Sequence, residues 1–208
     1  MRMMKLLKNE DAFTGLEAAI VLIAFVVVAA VFSYVMLGAG FFATGEAQKV
    51  VHTGSQQASS SLEIIGNIYG YSTTAGAGNL DSIQFTVGNT AGGTPLDISQ
   101  MLVTFTSGTT SEVISYDTEH SIVGGGDEGE SISAGHWAVI ETYNDIGGTE
   151  ARNHLLEPGE QFVLKIVFPT GATLTPNIPF SVNLQPAVGA TYPIKKTVPA
   201  YLNKVNTL

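Results

Sequence analysis

The side chains that most often carry chemistry are few and scattered in this chain. Four histidines stand alone, without a second ligand at metal-binding spacing: His52, His120, His136 and His154. Cysteine is absent, which excludes disulfides, thiolate metal sites and a cysteine nucleophile. The acidic residues Asp127, Glu128 and Glu130 could offer oxygen ligands to Ca²⁺, but their spacing is not that of an EF-hand, so we expect a solvated turn. Because no nucleophile elbow, P-loop or zinc-protease motif is present either, we expect no enzymatic activity, no bound metal and no cofactor.

The net charge and the fraction of charged residues argue against several further classes of protein. Acidic residues outnumber basic ones by 18 to 9, which gives the 208-residue chain a formal net charge of −9. A protein of that sign does not bind nucleic acid by counterion release. Only 13% of the residues are charged, well below the ~25% of soluble domains. These values weigh against a free cytosolic protein and against a disordered one.

The element that must position any functional residue near the N-terminus is a long apolar helix. No residue between positions 18 and 45 is charged, and residues 19–37 are apolar on every helical face. About 20 such residues cross the hydrocarbon core of a bilayer, whereas a chain of this size leaves too little protein to bury the helix in a globular core. Three cations precede the run: Arg2, Lys5 and Lys8. They predict that the N-terminus is cytoplasmic and that the chain after the helix is outside.

The helical pattern continues beyond this run. From residue 46 to residue 65, mostly small apolar residues recur at three- and four-residue spacing. The predicted helix, residues 13–66, is roughly 80 Å long, over twice the thickness of a bilayer core. Gly38 and Gly40 would bend it or let neighbouring helices approach closely, and the sequence leaves both uses open.

The hydrophobic period changes after residue 66. Apolar residues alternate in short runs, the clearest of which is residues 161–168, and turn signals such as Pro158-Gly159 separate them. The other marked runs centre on Phe85, Val103, Ile114, Val139 and Val182. About six to eight short strands of this kind predict an immunoglobulin-like β-sandwich over residues 67–208, with Trp137 in its core. The fold class is therefore α+β, a long hydrophobic helix followed by an all-β domain.

The segment before the apolar run resembles the class III signal peptides of type IV pilins and archaeal flagellins (archaellins). A small residue, Ala12, precedes Phe13, and Glu17 follows at the start of the apolar run. In those families a membrane peptidase cuts on the cytoplasmic side and the hydrophobic segment is retained. The resemblance implies a cut between Ala12 and Phe13 that removes residues 1–12, although those leaders commonly end in glycine.

Two segments of the β domain are similar to archaellins in particular. Residues 87–99 contain Asn-Thr-Ala-Gly after a strand and an aliphatic-Asp-aliphatic step, and residues 156–166 read L-x-PGE-x-F-x-L-x-I. Leader, long helix and this β domain in that order imply a structural subunit of the archaeal swimming filament, the archaellum.

The resemblance gives Glu17 a role. After the cut, the new α-amine of Phe13 is a cation one helical turn away. That amine, or the amine of a neighbouring subunit, would neutralise a carboxylate that is costly to place near hydrocarbon. The alternative, an interfacial residue that reaches the lipid headgroups, stays open.

A filament subunit of this kind implies several partners. It would polymerise with copies of itself and with related minor archaellins, after insertion in the cytoplasmic membrane, cleavage by the leader peptidase and transfer by a separate motor and assembly platform. Ala29 and Ala30, with Gly38 and Gly40, would lie in the packed helical core of an extracellular filament. Two alternatives remain open: an adhesive type IV-like pilin on the same plan, and a monomeric cell-surface domain anchored by one span.

Overall fold

The computed structural model describes residues 7–59, 61–74, 78–90, 93–108, 110–123, 132–146 and 152–208. The chain divides into two compact units, Met1–Thr53 and Gly54–Leu208. One long helix is followed by strands, which confirms the predicted order of an apolar helix ahead of an all-β domain.

The helix α1 is uninterrupted from Leu7 to Ser59, a length of 53 residues. At 1.5 Å per residue this is about 80 Å. No proline occurs within it, and most of its residues are aliphatic or small, so nothing in the sequence breaks the hydrogen-bonded backbone. The helix ends at Ser59, however, short of the predicted end at residue 66.

The predicted end was wrong because residues 62–66 belong to a strand, β1, which is Leu62–Tyr71. The spacing of Leu62 and Ile65 suits a helix, but antiparallel pairing with the next strand buries Leu62. Gly66 has a φ of 81°, a left-handed conformation that no α-helix contains, and the strand register shifts here. Tertiary pairing therefore overrides the helical period.

The described residues form eleven strands, and α1 precedes all of them. They are β1 (Leu62–Tyr71), β2 (Ser82–Asn89), β3 (Leu96–Asp97), β4 (Leu102–Ser107), β5 (Thr110–Tyr116), β6 (His136–Tyr143), β7 (Leu155–Leu156), β8 (Gln161–Val167), β9 (Pro179–Gln185), β10 (Tyr192–Thr197) and β11 (Val205–Thr207). The alternating runs of the sequence correspond to β2, β4, β5, β6, β8 and β9. Below, residues 62–208 are called the head.

Nine of these strands form one sheet in the order β10-β9-β4-β5-β6-β8-β2-β1-β11, and β3 pairs separately with β7. All neighbours are antiparallel except β5 and β6, which pair in parallel only through Ser115 with His136 and Tyr116 with Trp137. This short junction divides the sheet into two groups of strands, β10-β9-β4-β5 and β6-β8-β2-β1-β11.

Both groups contribute to a single hydrophobic core. The ring of Phe168, just after β8, lies 4.9 Å from that of Phe105 on β4 and 5.5 Å from that of Phe180 on β9. Trp137 is fully buried and packs on Tyr116 with ring centroids 4.7 Å apart, which confirms its predicted core position. Two strand groups around a shared core are the packing of a β-sandwich.

The two head segments that carry the family resemblance meet at one place in this fold. Asn89, at the end of β2, is buried, and its Nδ2 donates to the carbonyl oxygen of Leu156 at 3.1 Å. Glu160 is 3% exposed, and its carboxylate accepts hydrogen bonds from the amides of Ile146 (2.7 Å) and Glu157 (2.9 Å). A buried amide and a buried carboxylate are stable only with such partners. Both segments are therefore explained as parts of a structural junction.

Candidate assembly helix

The described side chains of α1 from residue 15 to residue 55 are all exposed in the subunit. Among the large apolar ones, Phe25 is 71%, Tyr34 80% and Phe42 77% exposed. Removing one large apolar side chain from water is worth roughly 1.5–3 kcal/mol. A surface of this kind along the helix is costly in water, so its stable surroundings are lipid or other apolar protein.

The length of this surface matters as much as its chemistry. By length and composition, Gly15–Gln57 could cross a membrane, and none of its most apolar window is buried. Its 43 residues are about twice the ~20 that a bilayer core requires. A spanning helix of this length therefore continues well beyond the hydrocarbon.

Two threonine hydroxyls on the helix have hydrogen-bond partners within it. The Thr44 hydroxyl donates to the carbonyl oxygen of Gly40 at 2.8 Å, and the Thr53 hydroxyl donates to that of Lys49 at 2.9 Å. Because these bonds stay within the helix, both hydroxyls can enter an apolar environment without losing a partner.

The predicted assembly residues Ala29, Ala30, Gly38 and Gly40 all lie on α1 and are exposed. A Cβ atom added at Gly38 or Gly40 would meet no atom within 4 Å. Nothing inside the subunit requires glycine there, although glycine costs a helix about 1 kcal/mol relative to alanine. Small residues at these positions would allow close approach of another helix.

The residues of the predicted cleavage site lie near the start of α1. Ala12 and Phe13 are within its helical backbone, and their side chains fall outside the described part of the chain. Glu17 is exposed and forms no hydrogen bond or ion pair with a described residue. Since positions four apart share a helix face, Glu17 lies one turn from residue 13.

The head offers no metal centre among its described residues. His120 Nδ1 lies 3.0 Å from Asp117 Oδ2, and His136 Nδ1 lies 3.1 Å from the carbonyl oxygen of Ala134. These contacts are local, within three residues along the chain. The acidic loop, residues 127–130, lies outside the described residues.

Two buried or partly buried carboxyl groups of the head have shifted pKa values. Burial raises the pKa of Asp117, but hydrogen bonds from the amide and ring of His120 outweigh it and leave the pKa below its ordinary value. Burial and the nearby Glu160 carboxylate raise the pKa of Asp145, against the lowering effect of Arg152, whose Nε lies 4.0 Å from Asp145 Oδ2. The consequence of both shifts is a pH dependence of stability.

Sequence reasoning missed a cleft on the outer face of the head that includes Lys165 and Lys204. Lys165 alternates with core residues of β8, which indicates an outward position. Lys204 precedes β11, a strand too short to be recognised, so no sequence pattern places these two lysines together.

Comparison with known proteins gives a family match. The model of archaeal-type flagellin matches residues 12–196. The chain is 40% identical over 209 residues to probable flagellin 1 of Archaeoglobus fulgidus, covering 99% of this chain and 98% of that protein. It is also 97% identical over 32 residues, or 15% of this chain, to a 24 kDa flagellin sequence of Methanospirillum hungatei, of which the match covers 100%.

A solved structure is similar over nearly the whole chain. The match to the archaeal flagellum of Methanospirillum hungatei strain JF1 has a TM-score of 0.67 and 33% sequence identity, and it covers 93% of this chain and 99% of that one. The helix-and-head plan of the subunit is therefore also the plan of a flagellum subunit.

Proposed function

The chain belongs to the archaeal-type flagellin family, and from that premise we propose how it works as the structural subunit of an archaellum filament: copies of the chain associate through α1. The observation that carries this proposal is the exposed apolar surface of α1. The adhesive-pilin alternative is not favoured, because the matched family is that of the flagellins.

The apolar helix has two successive environments. In the precursor, the first part of α1 lies in the cytoplasmic membrane, where lipid satisfies its apolar side chains. In the filament, the same side chains contact α1 of neighbouring copies. Both environments are apolar, so the transfer changes the hydrophobic term little. Close packing of small residues and contacts between heads then supply the favourable free energy.

Processing precedes assembly. A leader peptidase cuts between Ala12 and Phe13 on the cytoplasmic side and leaves a free α-amine on Phe13. The carboxylate of Glu17 then pairs with an α-amine, its own or that of a neighbouring copy, so that neither charge enters the apolar core unpaired.

The filament grows by a repeated heterologous contact, in which one surface of a copy binds a different surface of the next copy. Subunits related by a rotation that does not close form an open helix rather than a ring. Related minor archaellins could join the same lattice, and a membrane motor with its assembly platform supplies export energy and torque. The subunit itself contributes packing surfaces.

One experiment tests the proposal most directly. Material sheared from the cell surface without detergent is imaged by electron microscopy, and its main protein band is sequenced from the N-terminus. We expect filaments whose repeating subunit is this chain, beginning at Phe13. A mature protein that begins downstream of α1, or that never polymerises, would overturn the proposal.

A further inference from the structure

The basic residues of the head differ in whether the subunit provides them with a partner. Lys196 Nζ donates to the backbone carbonyl oxygen of Leu208 at 2.8 Å, and Arg152 Nε lies 4.0 Å from Asp145. By contrast, the side-chain ammonium groups of three lysines form no hydrogen bond or ion pair with any described residue: those of Lys165, Lys195 and Lys204. In the chain as a whole, acidic residues outnumber basic ones by 18 to 9, so a carboxylate is the more common charged group that an unpaired lysine can meet on a second copy.

Two of these three lysines share one cleft. Lys165 on β8 and Lys204 before β11 line a cleft of about 420 Å³ on the outer face of the head, together with Tyr71, Thr73, Asp81 and Val205. The cleft lies at one end of the β8-β2-β1-β11 strands. The strand pairing shows this, because Tyr71 is opposite both Ser82 on β2 and Val205 on β11. The cleft is therefore lined by strand residues, such as Tyr71, Lys165 and Val205, and by residues that directly adjoin strand ends, such as Asp81 and Lys204.

The acidic residue within the cleft does not neutralise it. Asp81 Oδ2 accepts two hydrogen bonds from Thr73, one from the backbone N–H at 2.6 Å and one from the hydroxyl at 2.7 Å. No ion pair joins Asp81 to either lysine among the described residues. The charged side chains of the cleft thus sum to a net positive charge.

The rest of the lining is suited to a side chain with an apolar stem. Val205 is 51% exposed, and the Tyr71 ring and the lysine methylenes add apolar surface. A glutamate presented by a partner would place its methylenes against this apolar surface and its carboxylate near the lysine ammonium groups that line the cleft.

The other half of the head carries carboxylates that match this description. Glu112 on β5 and Glu119 just after it are exposed, and their side chains form no ion pair with a described residue. The cleft belongs to the β8-β2-β1-β11 group, whereas β5 belongs to the other strand group. A contact between two different surfaces of identical chains is heterologous, and repeating it produces an open polymer.

We propose that the Lys165–Lys204 cleft is a head-to-head docking site that receives carboxylate side chains of a second copy of this chain, with Glu112 and Glu119 as the best-matched donors. This inference rests on the proposed function, because it assigns part of the contact between heads in the filament. Its physical basis is charge complementarity: such a contact favours the correct pairing of surfaces and weakens as salt concentration rises.

Charge reversal at matched positions tests the docking site. Lys204→Glu is compared with Lys195→Glu, which changes the net charge equally at an exposed lysine on β10, outside the cleft. Full-length variants are produced in an archaeal host that lacks its own flagellins, and filament yield is measured after shearing. We expect Lys204→Glu to lower the yield about tenfold and Lys195→Glu to leave it close to wild type. Equal yields for the two variants would overturn the inference.

Chemical cross-linking supplies an independent readout. A carbodiimide joins lysine amines to carboxylates in direct contact, and mass spectrometry identifies the linked peptides. We expect Lys165 or Lys204 to be linked to a glutamate in intact filaments and not in detergent-dissociated subunits. If the two lysines react alike in both samples, the cleft does not bind a second copy.

The two proposals fail differently. Absence of filaments from the wild-type chain would contradict the proposed function itself. Wild-type filaments with a free Lys165–Lys204 cleft would contradict only the docking site.

Discussion

The helix and the head use similar side chains in opposite ways. Phe85 and Phe105 of the head are buried against strands of the same subunit, whereas Phe25 and Phe42 of α1 contact almost nothing in it. The head therefore obtains its hydrophobic stabilisation when one chain folds. The helix obtains it only from its surroundings, first lipid and then other copies under the proposed function. Substitutions in the two regions should accordingly affect different measurements.

The largest expected effect is on assembly. Ala29→Trp or Ala30→Trp should abolish filaments while membrane insertion persists, because lipid can rearrange around a large ring and a close-packed helical core cannot. Filaments are scored by electron microscopy, and insertion is scored by extraction of the membrane fraction. Ala29→Gly is the matched control, since it keeps the small volume. Filaments of normal diameter from the tryptophan variants would show that this part of α1 is not tightly packed.

A substitution in the core of the head is expected to lower the stability of the subunit. Phe105→Ala removes a fully buried ring and should lower the free energy of unfolding by about 3–5 kcal/mol. Trp137, the single tryptophan and fully buried, reports unfolding by fluorescence in the detergent-solubilised full chain. Phe25→Ala is the control on α1 and should leave that transition nearly unchanged. If both substitutions destabilise the head alike, the separation between the two regions is wrong.

The contribution of the carboxylate on α1 is smaller. Glu17→Ala should leave leader cleavage largely intact but reduce filament yield by about tenfold, equivalent to ~1.4 kcal/mol, because the α-amine of Phe13 loses its partner. Glu46→Ala, which removes an exposed carboxylate farther along α1, serves as the control. Mature N-terminal sequence and filament yield are measured together. Normal yield from Glu17→Ala would show that this carboxylate is dispensable.

The smallest effect is electrostatic and confined to the head. Since the pKa of Asp117 is lowered on folding, its contribution to stability is present above its ordinary pKa and is lost as pH falls through the folded-state value. Asp117→Asn should therefore cost about 1 kcal/mol at neutral pH and progressively less in acid. Thermal unfolding followed through Trp137 at several pH values measures this difference. If the stability difference between Asp117→Asn and wild type does not change with pH, then the Asp117 carboxylate does not stabilise the head in this way.

Much of the fold could be predicted because two kinds of pattern are unambiguous. An uncharged run as long as residues 18–45 has no stable place in a small head, so a long exposed helix follows from composition alone. Phe162, Leu164 and Ile166 alternate as a strand with one face in the core must. By contrast, β10 contains Pro193 and two adjacent lysines, and β11 is only three residues long. Such strands are stabilised by their neighbours rather than by their own pattern.

The candidate functional residues also fall into a group that the sequence could identify and a group that it could not. Along α1, each residue proposed for cleavage or assembly is identified by its position relative to one continuous apolar run, and a helix keeps sequence neighbours close in space. An apolar helix that needs other partners therefore follows from the order of residues in the chain. The end of that helix at Ser59 and the placing of Lys165 and Lys204 in one cleft follow from the folded structure, because strand pairing joins residues that are far apart in the chain.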